Sequence, residues 1–388
     1  MQKVNNNFKL LMAALGTIIM AHQGKASVTY FDYEAAGSGI NIKDIELSSG
    51  NKMFALKTAD GQLGNAKYPV WVGNSDNLGA AFSSSWMTNA TPSCAFFKDK
   101  LYIAPKGQKN YLYRLDVGNG QMPNVKSADL VKFKSDGTLM MQSPYLYATT
   151  NNLYAIENNS DGQIRVRSFR EGDDESLQRV YSVLSDSNKS IQKEQIKDIV
   201  SKTINGQDYL YILTTNGTQT ADLWLFGNSG GQCITPPEWS EYNTEWGFTP
   251  LFDNTTSIAI HGDKLLSANA NLDANDIQLG FMSQINNDGT LGNTEPYFHS
   301  DTLRVSAIGS DQQTYYAETI NDDRSPVDAT FDKFFMKGAP KSMEYEGDPF
   351  YPDQTYHRQG ESVHKFTTRK QGEIFAISPN RIYRIKSN

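Results

Sequence analysis

Cysteine, histidine and excess positive charge are what this sequence has least of. Its 388 residues include 2 cysteines and 5 histidines, too few cysteines for a disulfide-stapled framework. Its 36 basic side chains face 43 acidic ones, for a formal net charge of −7, which argues against a protein that wraps phosphate backbones. We therefore expect no nucleic-acid partner. After residue 26 no apolar run is long enough to cross a bilayer, so we expect no membrane span in the mature chain.

The first 26 residues have the pattern of a secretory signal peptide. Lys3 and Lys9 precede an uncharged apolar run over residues 10–21, and a short polar stretch follows it. An apolar helix of that length would span only about 18 Å, against roughly 30 Å of bilayer hydrocarbon. We predict cleavage before Ser27 and export to the periplasm or the exterior of a bacterial cell, with residues 27–388 as a single domain.

A short segment recurs seven times along the rest of the chain. Each copy has an apolar residue, an aromatic or large residue and an alanine-like residue, and each is preceded by a turn rich in Gly, Asn or Asp. Further strand-like runs flank every copy. The spacing of roughly 50 residues allows four strands per unit. The seven copies are 53–56 (MFAL), 101–104 (LYIA), 153–156 (LYAI), 210–213 (LYIL), 265–268 (LLSA), 315–318 (YYAE) and 374–377 (IFAI).

Strands that are apolar on both faces need neighbouring sheets on both sides, as in stacked propeller blades. The seventh unit stops after its third strand, at Ile385, while residues 28–33 (VTYFDY) form an unpaired strand at the start of the mature chain. The sequence predicts an all-β fold: a seven-bladed β-propeller of four-stranded antiparallel blades, closed by the N-terminal strand that completes the last blade. Six or eight blades and a large β-sandwich remain alternatives.

Residues 100–104 (KLYIA), followed by 111–116 (YLYRLD), resemble the seven-bladed β-propeller superfamily, in particular its secreted bacterial types. The resemblance spans the mature chain. The WD, kelch and quinone-docking tryptophan signatures do not recur, so the resemblance implies no particular activity. One stretch, 190–202, fits either a short amphipathic helix or the first strand of the fourth blade.

Several local motifs have simpler structural interpretations. Residues 227–231 (GNSGG) match the G-x-S-x-G pattern of serine hydrolases, but no histidine precedes His261 in the mature chain and the following residues look extended. We interpret the motif as a glycine-rich loop between two strands. His261 is assigned to a hairpin, and His299 and His357 to inter-blade loops. Cys94 and Cys233 fall two blades apart, so we expect no disulfide between them.

Calcium is the only cofactor for which the sequence offers ligands at suitable spacing. Gln284, Asn286, Asp288 and Glu295 place oxygen atoms as a calcium loop does, with Gly289 at the turn. Gln284 replaces the leading acid, which favours an ordinary hairpin instead. No other cofactor is expected.

Three long segments, 236–255, 319–329 and 347–361, are predicted to gather on one face of the propeller. Their aromatic rings could stack on sugars and their polar groups could bond hydroxyls, although the rings could equally pack as a lid. Together with His299, the candidate ligand-binding residues are Trp239, Tyr242, Trp246, Arg324, Tyr351, Tyr356, His357 and Arg358.

The leading functional hypothesis is an exported, monomeric binding protein that recognises a glycan or protein partner through these loops. The alternative is a polysaccharide-active hydrolase or lyase. Its acid and base would be two carboxylates roughly 5 to 9.5 Å apart. The candidates are Asp322, Asp323, Glu241, Glu245 and Asp353.

Overall fold

The structure is a computed structural model. It describes residues 21–23, 26–33, 40–48, 50–59, 62–63, 66–117, 128–132, 143–158, 164–169, 177–182, 193–215, 221–227, 230–234, 255–269, 278–300, 303–312, 315–321, 333–337, 354–357 and 363–387. These residues are almost entirely β-strand, with short 3-10 helices at Ser85–Asn89 and Lys193–Gln195. No helix within the described part of the chain is long and apolar enough to cross a membrane.

The strands follow one another as antiparallel sheets along the chain. Two N-terminal strands come first, β1 (Ala21–Gln23) and β2 (Ala26–Asp32). The first blade has β3 (Ile42–Leu47), β4 (Met53–Thr58), β7 (Val70–Asn74) and β8 (Asn77–Phe82), with a small hairpin of β5 (Gln62–Leu63) and β6 (Ala66–Lys67). The second blade has β9 (Ala90–Phe97), β10 (Lys100–Pro105), β11 (Tyr111–Asp116) and β12 (Asp129–Lys132). The third has β13 (Tyr145–Ala148), β14 (Leu153–Asn158), β15 (Ile164–Phe169) and β16 (Leu177–Ser182).

The second half of the chain continues the series. The fourth blade has β17 (Ile196–Ile204), β18 (Gln207–Thr215), β19 (Ala221–Gly227) and β20 (Gly230–Cys233). The fifth has β21 (Thr255–His261), β22 (Lys264–Asn269), β23 (Gln278–Ile285) and β24 (Leu291–Ser300). The sixth has β25 (Leu303–Ser310), β26 (Tyr315–Asn321), β27 (Lys333–Lys337) and β28 (Gln354–His357). The last strands are β29 (Lys365–Lys370), β30 (Glu373–Ile377) and β31 (Arg381–Ser387).

The number of four-stranded blades differs from the prediction. All seven repeated segments are strands, but among the described residues only six of them lie in four-stranded blades. The seventh, β30, lies in a five-stranded sheet with the order β1-β2-β31-β30-β29, called here the terminal sheet. The expected count of seven four-stranded blades is therefore corrected to six, because two N-terminal strands rather than one join the last sheet. In this sheet β2 pairs with β31 from Ala26 opposite Ser387 to Asp32 opposite Arg381.

Apolar clusters fill the spaces between successive sheets and explain why the repeated segments are apolar on both faces. In β14, Leu153 and Ala155 pack in a cluster with the second blade, while Tyr154 and Ile156 pack in another with the fourth. Alternate side chains of a strand point to opposite faces, so each face meets a different neighbour. Burial of both faces requires the continuous apolar pattern seen in the sequence.

The tight turns that join first and second strands follow the predicted chemistry. Asn205 and Gly206, between β17 and β18, both have positive φ, at 52° and 78°. A two-residue turn of this kind matches the twist of the two strands that it joins. The described part of the stretch 190–202 contains a short 3-10 helix, Lys193–Gln195, followed by β17, the first strand of the fourth blade.

Antiparallel order gives the molecule two faces. Connections between first and second strands, and between third and fourth, lie on what we call the turn face. The strand ends that are joined by connections between second and third strands, and between one blade and the next, lie on what we call the loop face. First strands of successive sheets contact one another, as β3 does with β9 and with β29. The space that the first strands enclose is called the central channel.

Candidate functional site: the polar centre of the channel

Most of the predicted loop residues lie outside the described residues. These are Glu241, Glu245, Asp322, Asp323, Asp353, Trp239, Tyr242, Trp246, Arg324, Tyr351 and Arg358. Their roles stay predictions.

Three predicted loop positions are strand positions instead. Tyr356 and His357 belong to β28, opposite Phe334 and Lys333, and His299 belongs to β24, opposite Leu279. The segment 347–361 is thus not one loop, because the short alternating run of β28 pairs with β27 and interrupts it. The connection before β28 joins the strand at the turn face, and the connection after it leaves from the loop face. Tyr351 and Asp353 therefore belong to one connection and Arg358 to the other.

The four predicted calcium ligands lie on the hairpin of β23 and β24. Asp288 Oδ1 accepts hydrogen bonds from the backbone N–H and the hydroxyl of Thr290, at 3.0 and 2.6 Å. Asn286 donates to Thr290 Oγ1, Gln284 donates to the carbonyl of Asp263, and Glu295 lies on β24. In the described part of the chain no group of three or more His, Cys, Asp or Glu side chains is arranged to hold a metal. Calcium stays a prediction.

The remaining motifs have structural positions. Gly227 ends β19 and Gly230 begins β20, as expected for a loop between two strands. His261 is buried at the end of β21, where its Nδ1 lies 2.9 Å from Ser310 Oγ of the sixth blade. No disulfide joins Cys94 to Cys233.

Charged side chains from three blades or sheets meet in the central channel near the loop face. The Lys365 ammonium of β29 lies 2.8 Å from Asp44 Oδ1 of β3 and 3.7 Å from Asp198 Oδ1 of β17. The Lys57 ammonium of β4 lies 2.9 Å from Asp44 Oδ2 and 2.5 Å from Glu46 Oε1. We call these five residues, with Tyr145, the channel cluster. The Lys57 ammonium is 5.1 Å from the centre of the Tyr145 ring, a cation–π distance.

The two aspartates come from two copies of one tetrapeptide. Residues 42–45 and 196–199 both read Ile-Lys-Asp-Ile. In each copy the strand has a β-bulge at the lysine, where the register shifts between isoleucine and aspartate. A bulge adds one residue to a strand and re-aims the side chains around it. As a result Lys43 and Lys197 are exposed, while Asp44 and Asp198 are buried in the channel wall.

Backbone N–H groups fix both carboxylates. Asp44 Oδ1 accepts from the N–H of Ile45 at 2.8 Å, and Asp198 Oδ1 accepts from that of Ile199 at 2.9 Å. Asp198 Oδ2 also accepts from the N–H of Ile258, on the first strand of the next blade, at 3.2 Å. Ionised carboxylates that accept several hydrogen bonds are held in one position. The cluster therefore joins neighbouring and opposite blades.

Burial and ion pairing act against each other on the pKa values of the cluster. Burial would raise the pKa of Asp44, but the ammonium groups of Lys365 and Lys57 outweigh it and hold that pKa well below its ordinary value. Burial raises the pKa of Asp198 and of Glu46, and their lysine contacts offset it only in part. Burial would lower the pKa of Lys57 and Lys365, but the carboxylates beside them raise both. Both lysines are therefore charged at neutral pH.

The sequence interpretation missed this cluster, since its members are far apart along the chain. One signal was available: the repeated Ile-Lys-Asp-Ile segment, which is the same in two first strands and carries charge where a buried strand would be apolar.

Comparison with known proteins shows the fold alone. No family model and no curated protein matches the sequence. The structure of YCF48 from Cyanidioschyzon merolae is similar over 90% of this chain and 96% of its own, with a TM-score of 0.52 and 11% identity. A structure described as YCF48 bound to D1 peptide is similar over 96% and 98%, with a TM-score of 0.51 and 9% identity. This chain is a β-propeller. At these identities the likeness assigns the propeller to no particular member of the fold.

Proposed function

We propose that this propeller is an exported, non-catalytic protein that binds a protein partner on its loop face. The observation that carries the proposal is the channel cluster. Its aspartates are 7% and 6% exposed, and both contact the ammonium of Lys365. Such a cluster fixes blades around a rigid centre, as a scaffold for binding loops requires.

The cluster lacks the features of a hydrolytic site. Glycoside hydrolysis needs two carboxyl groups that face a sugar, one protonated and one ionised. Asp44 and Asp198 have opposite pKa shifts, but a lysine lies between them where a sugar would have to bind. The hydrolase or lyase alternative thus depends on the loop carboxylates alone. Full turnover of a polysaccharide panel by Asp322→Asn would remove Asp322 as the catalyst.

A structure of similar fold is our reason for preferring a protein partner to a glycan. One structure of that fold is described as bound to a peptide. Aromatic residues such as Trp239 and Trp246 are also the side chains that most often dominate protein interfaces. A glycan partner is the competing outcome.

The test compares two aromatic residues from different faces. Trp246 belongs to the connection from β20 to β21, which joins strand ends on the loop face. Tyr351 belongs to the connection from β27 to β28, which joins strand ends on the turn face. On peptide and glycan arrays, we expect Trp246→Ala to weaken peptide binding at least about tenfold. Tyr351→Ala should leave it unchanged. Binding to glycans alone would show that the partner is a glycan rather than a protein. Binding to neither array would contradict the proposal.

We further propose that the terminal sheet acts as a seventh blade and closes the propeller. Its two faces support this, since Ile374 and Ile385 cluster with Tyr316 of the sixth blade, while Ile377 and Phe31 cluster with residues of the first. Cleavage before Ser27 would remove β1 and leave four strands, β2, β31, β30 and β29. The direct test of this closure is a circular permutant in which a short loop joins β31 to β2.

Export and a monomeric state belong to the same proposal. A fusion of residues 1–26 to alkaline phosphatase should be active only if these residues direct export. Light scattering on the mature chain should give the mass of one copy.

A further inference from the structure

We infer that Lys43 and Lys197, the bulged lysines of the two Ile-Lys-Asp-Ile segments, form a paired site for an acidic segment of the protein partner. The site lies where the central channel opens on the loop face. The inference rests on the proposed function and names the chemistry of the partner.

The geometry brings the backbone segments that carry both lysines to the same part of the channel. Each directly precedes an aspartate that contacts the Lys365 ammonium, so the two bulges approach the same part of the channel from the first and the fourth blades. The bulge at Lys43 is held further, because Nε2 of His364 lies 3.1 Å from the Lys43 carbonyl oxygen. The two lysines are therefore carried by a fixed backbone, which lowers the entropic cost of binding.

The charges of these lysines are available to a ligand. The oxygens of Asp44 and Asp198 contact Lys57, Lys365 and backbone N–H groups instead of the lysines that precede them in sequence. Among the described residues neither Lys43 nor Lys197 has an ion pair within 4.0 Å. The channel cluster has three carboxyl groups and two ammonium groups. Lys43 and Lys197 add exposed positive charge next to it, and Glu194, three residues before Lys197, is an exposed acid.

An acidic peptide fits this arrangement better than a nucleic acid does. Two ammonium groups match two carboxylates, whereas a polynucleotide needs an extended basic surface. The whole chain carries a net charge of −7, which would repel a polynucleotide. A local positive site in an acidic protein orients an incoming acidic segment and speeds its association. A single exposed ion pair contributes little, so we expect the two lysines to act together.

The experiment uses a fluorescein-labelled glutamate-rich peptide and a lysine-rich peptide of equal length. Fluorescence anisotropy is measured with the mature chain at about 20 mM and about 150 mM salt. The double variant Lys43→Glu/Lys197→Glu should weaken binding of the acidic peptide at least about tenfold, and added salt should weaken binding to the wild-type chain. Lys52→Glu/Lys98→Glu is the matched control. It changes the net charge equally, and both residues are exposed near turns of the turn face. The affinity of this control variant for the acidic peptide should stay within about twofold of the wild-type affinity.

Three outcomes would overturn the inference. Equal losses of affinity in the two double variants would show a general effect of net charge. Tighter binding of the lysine-rich peptide would show that the site prefers positive ligands. Tighter binding of an oligothymidylate would show that the ligand is a nucleic acid rather than a peptide. Thermal unfolding of each variant checks that the fold is intact. If peptides bind the array through Trp246 but independently of Lys43 and Lys197, only this inference fails. If no peptide binds at all, the proposed function fails as well.

Discussion

Asp44 and Asp198 occupy the same place in two copies of the same tetrapeptide, yet their surroundings shift their pKa values in opposite directions. Asp44 has two lysines beside it, whereas Asp198 has one at a longer distance. At the scale of single residues, the number of cationic partners decides whether a buried carboxylate favours folding or opposes it.

We predict that Asp44→Asn destabilises the protein far more than Asp198→Asn. Removing the Asp44 charge leaves Lys57 and Lys365 buried without their shared partner, at a cost of about 3 to 5 kcal/mol. Ionised Asp198 already opposes folding, because its pKa is raised, so its replacement should cost less. Urea unfolding of both variants measures the difference, and equal losses would contradict the assignment.

The same substitution has a defined pH dependence. The pKa of Asp44 is lowered by folding, so its contribution to stability is present above the unfolded value of about 3.9 and is lost as the pH falls below it. The gap in stability between wild type and Asp44→Asn should therefore be constant at neutral pH and narrow in acid.

At the scale of elements, tight turns on the turn face tie neighbouring blades together. Asp208, at the start of β18, accepts hydrogen bonds from Asn152 Nδ2 at 2.8 Å and Tyr154 OH at 2.9 Å of the third blade. It also accepts from the hydroxyl of Thr203 at 2.6 Å. Burial would raise the pKa of Asp208, but these donors and Thr149 lower it.

We predict that Asp208→Ala lowers the free energy of unfolding by about 2 to 4 kcal/mol, because the buried Tyr154 hydroxyl and several partly buried donors lose their acceptor. Asp263→Ala is the control, since Asp263 lies in the corresponding turn of the fifth blade and is exposed. Its effect should be within about 0.5 kcal/mol. Chemical denaturation measures the free energy of unfolding of both variants. Similar losses in the two would show that Asp208 has no special role.

How far the sequence predicts each element depends on whether its signal is local. All seven repeated segments are strands, since residues such as Leu153 and Tyr154 are apolar on both faces and carry the signal themselves. Strand β28 was missed because its four residues end on Tyr356 and His357, which read equally well as loop. The channel cluster could not be predicted, because Asp44 and Lys365 meet only after the sheets assemble.

At the scale of the whole molecule, the two ends of the chain lie side by side in the terminal sheet. Ala26 is opposite Ser387, so a hairpin loop of about two to five residues would join them. The chain can then be opened elsewhere without separating any paired strands.

We predict that a circular permutant joined by a short loop from Ser387 to Ser27, and opened in the connection between β27 and β28, keeps the fold. Circular permutation succeeds where the ends are close and the new break falls between elements. Circular dichroism and the thermal midpoint should match those of the mature chain. A permutant opened between Asn205 and Gly206 should be less stable, because it breaks a two-residue turn. Failure of the first permutant to fold would argue against β2 and β31 as neighbours.

The Lys365 ammonium touches carboxylate oxygens of the first and fourth blades, at 2.8 and 3.7 Å. One side chain thus bridges the first and fourth blades across the central channel. At that depth the axis is occupied by Lys365, so a molecule that entered along the axis would have to displace a paired, buried ammonium group to go further.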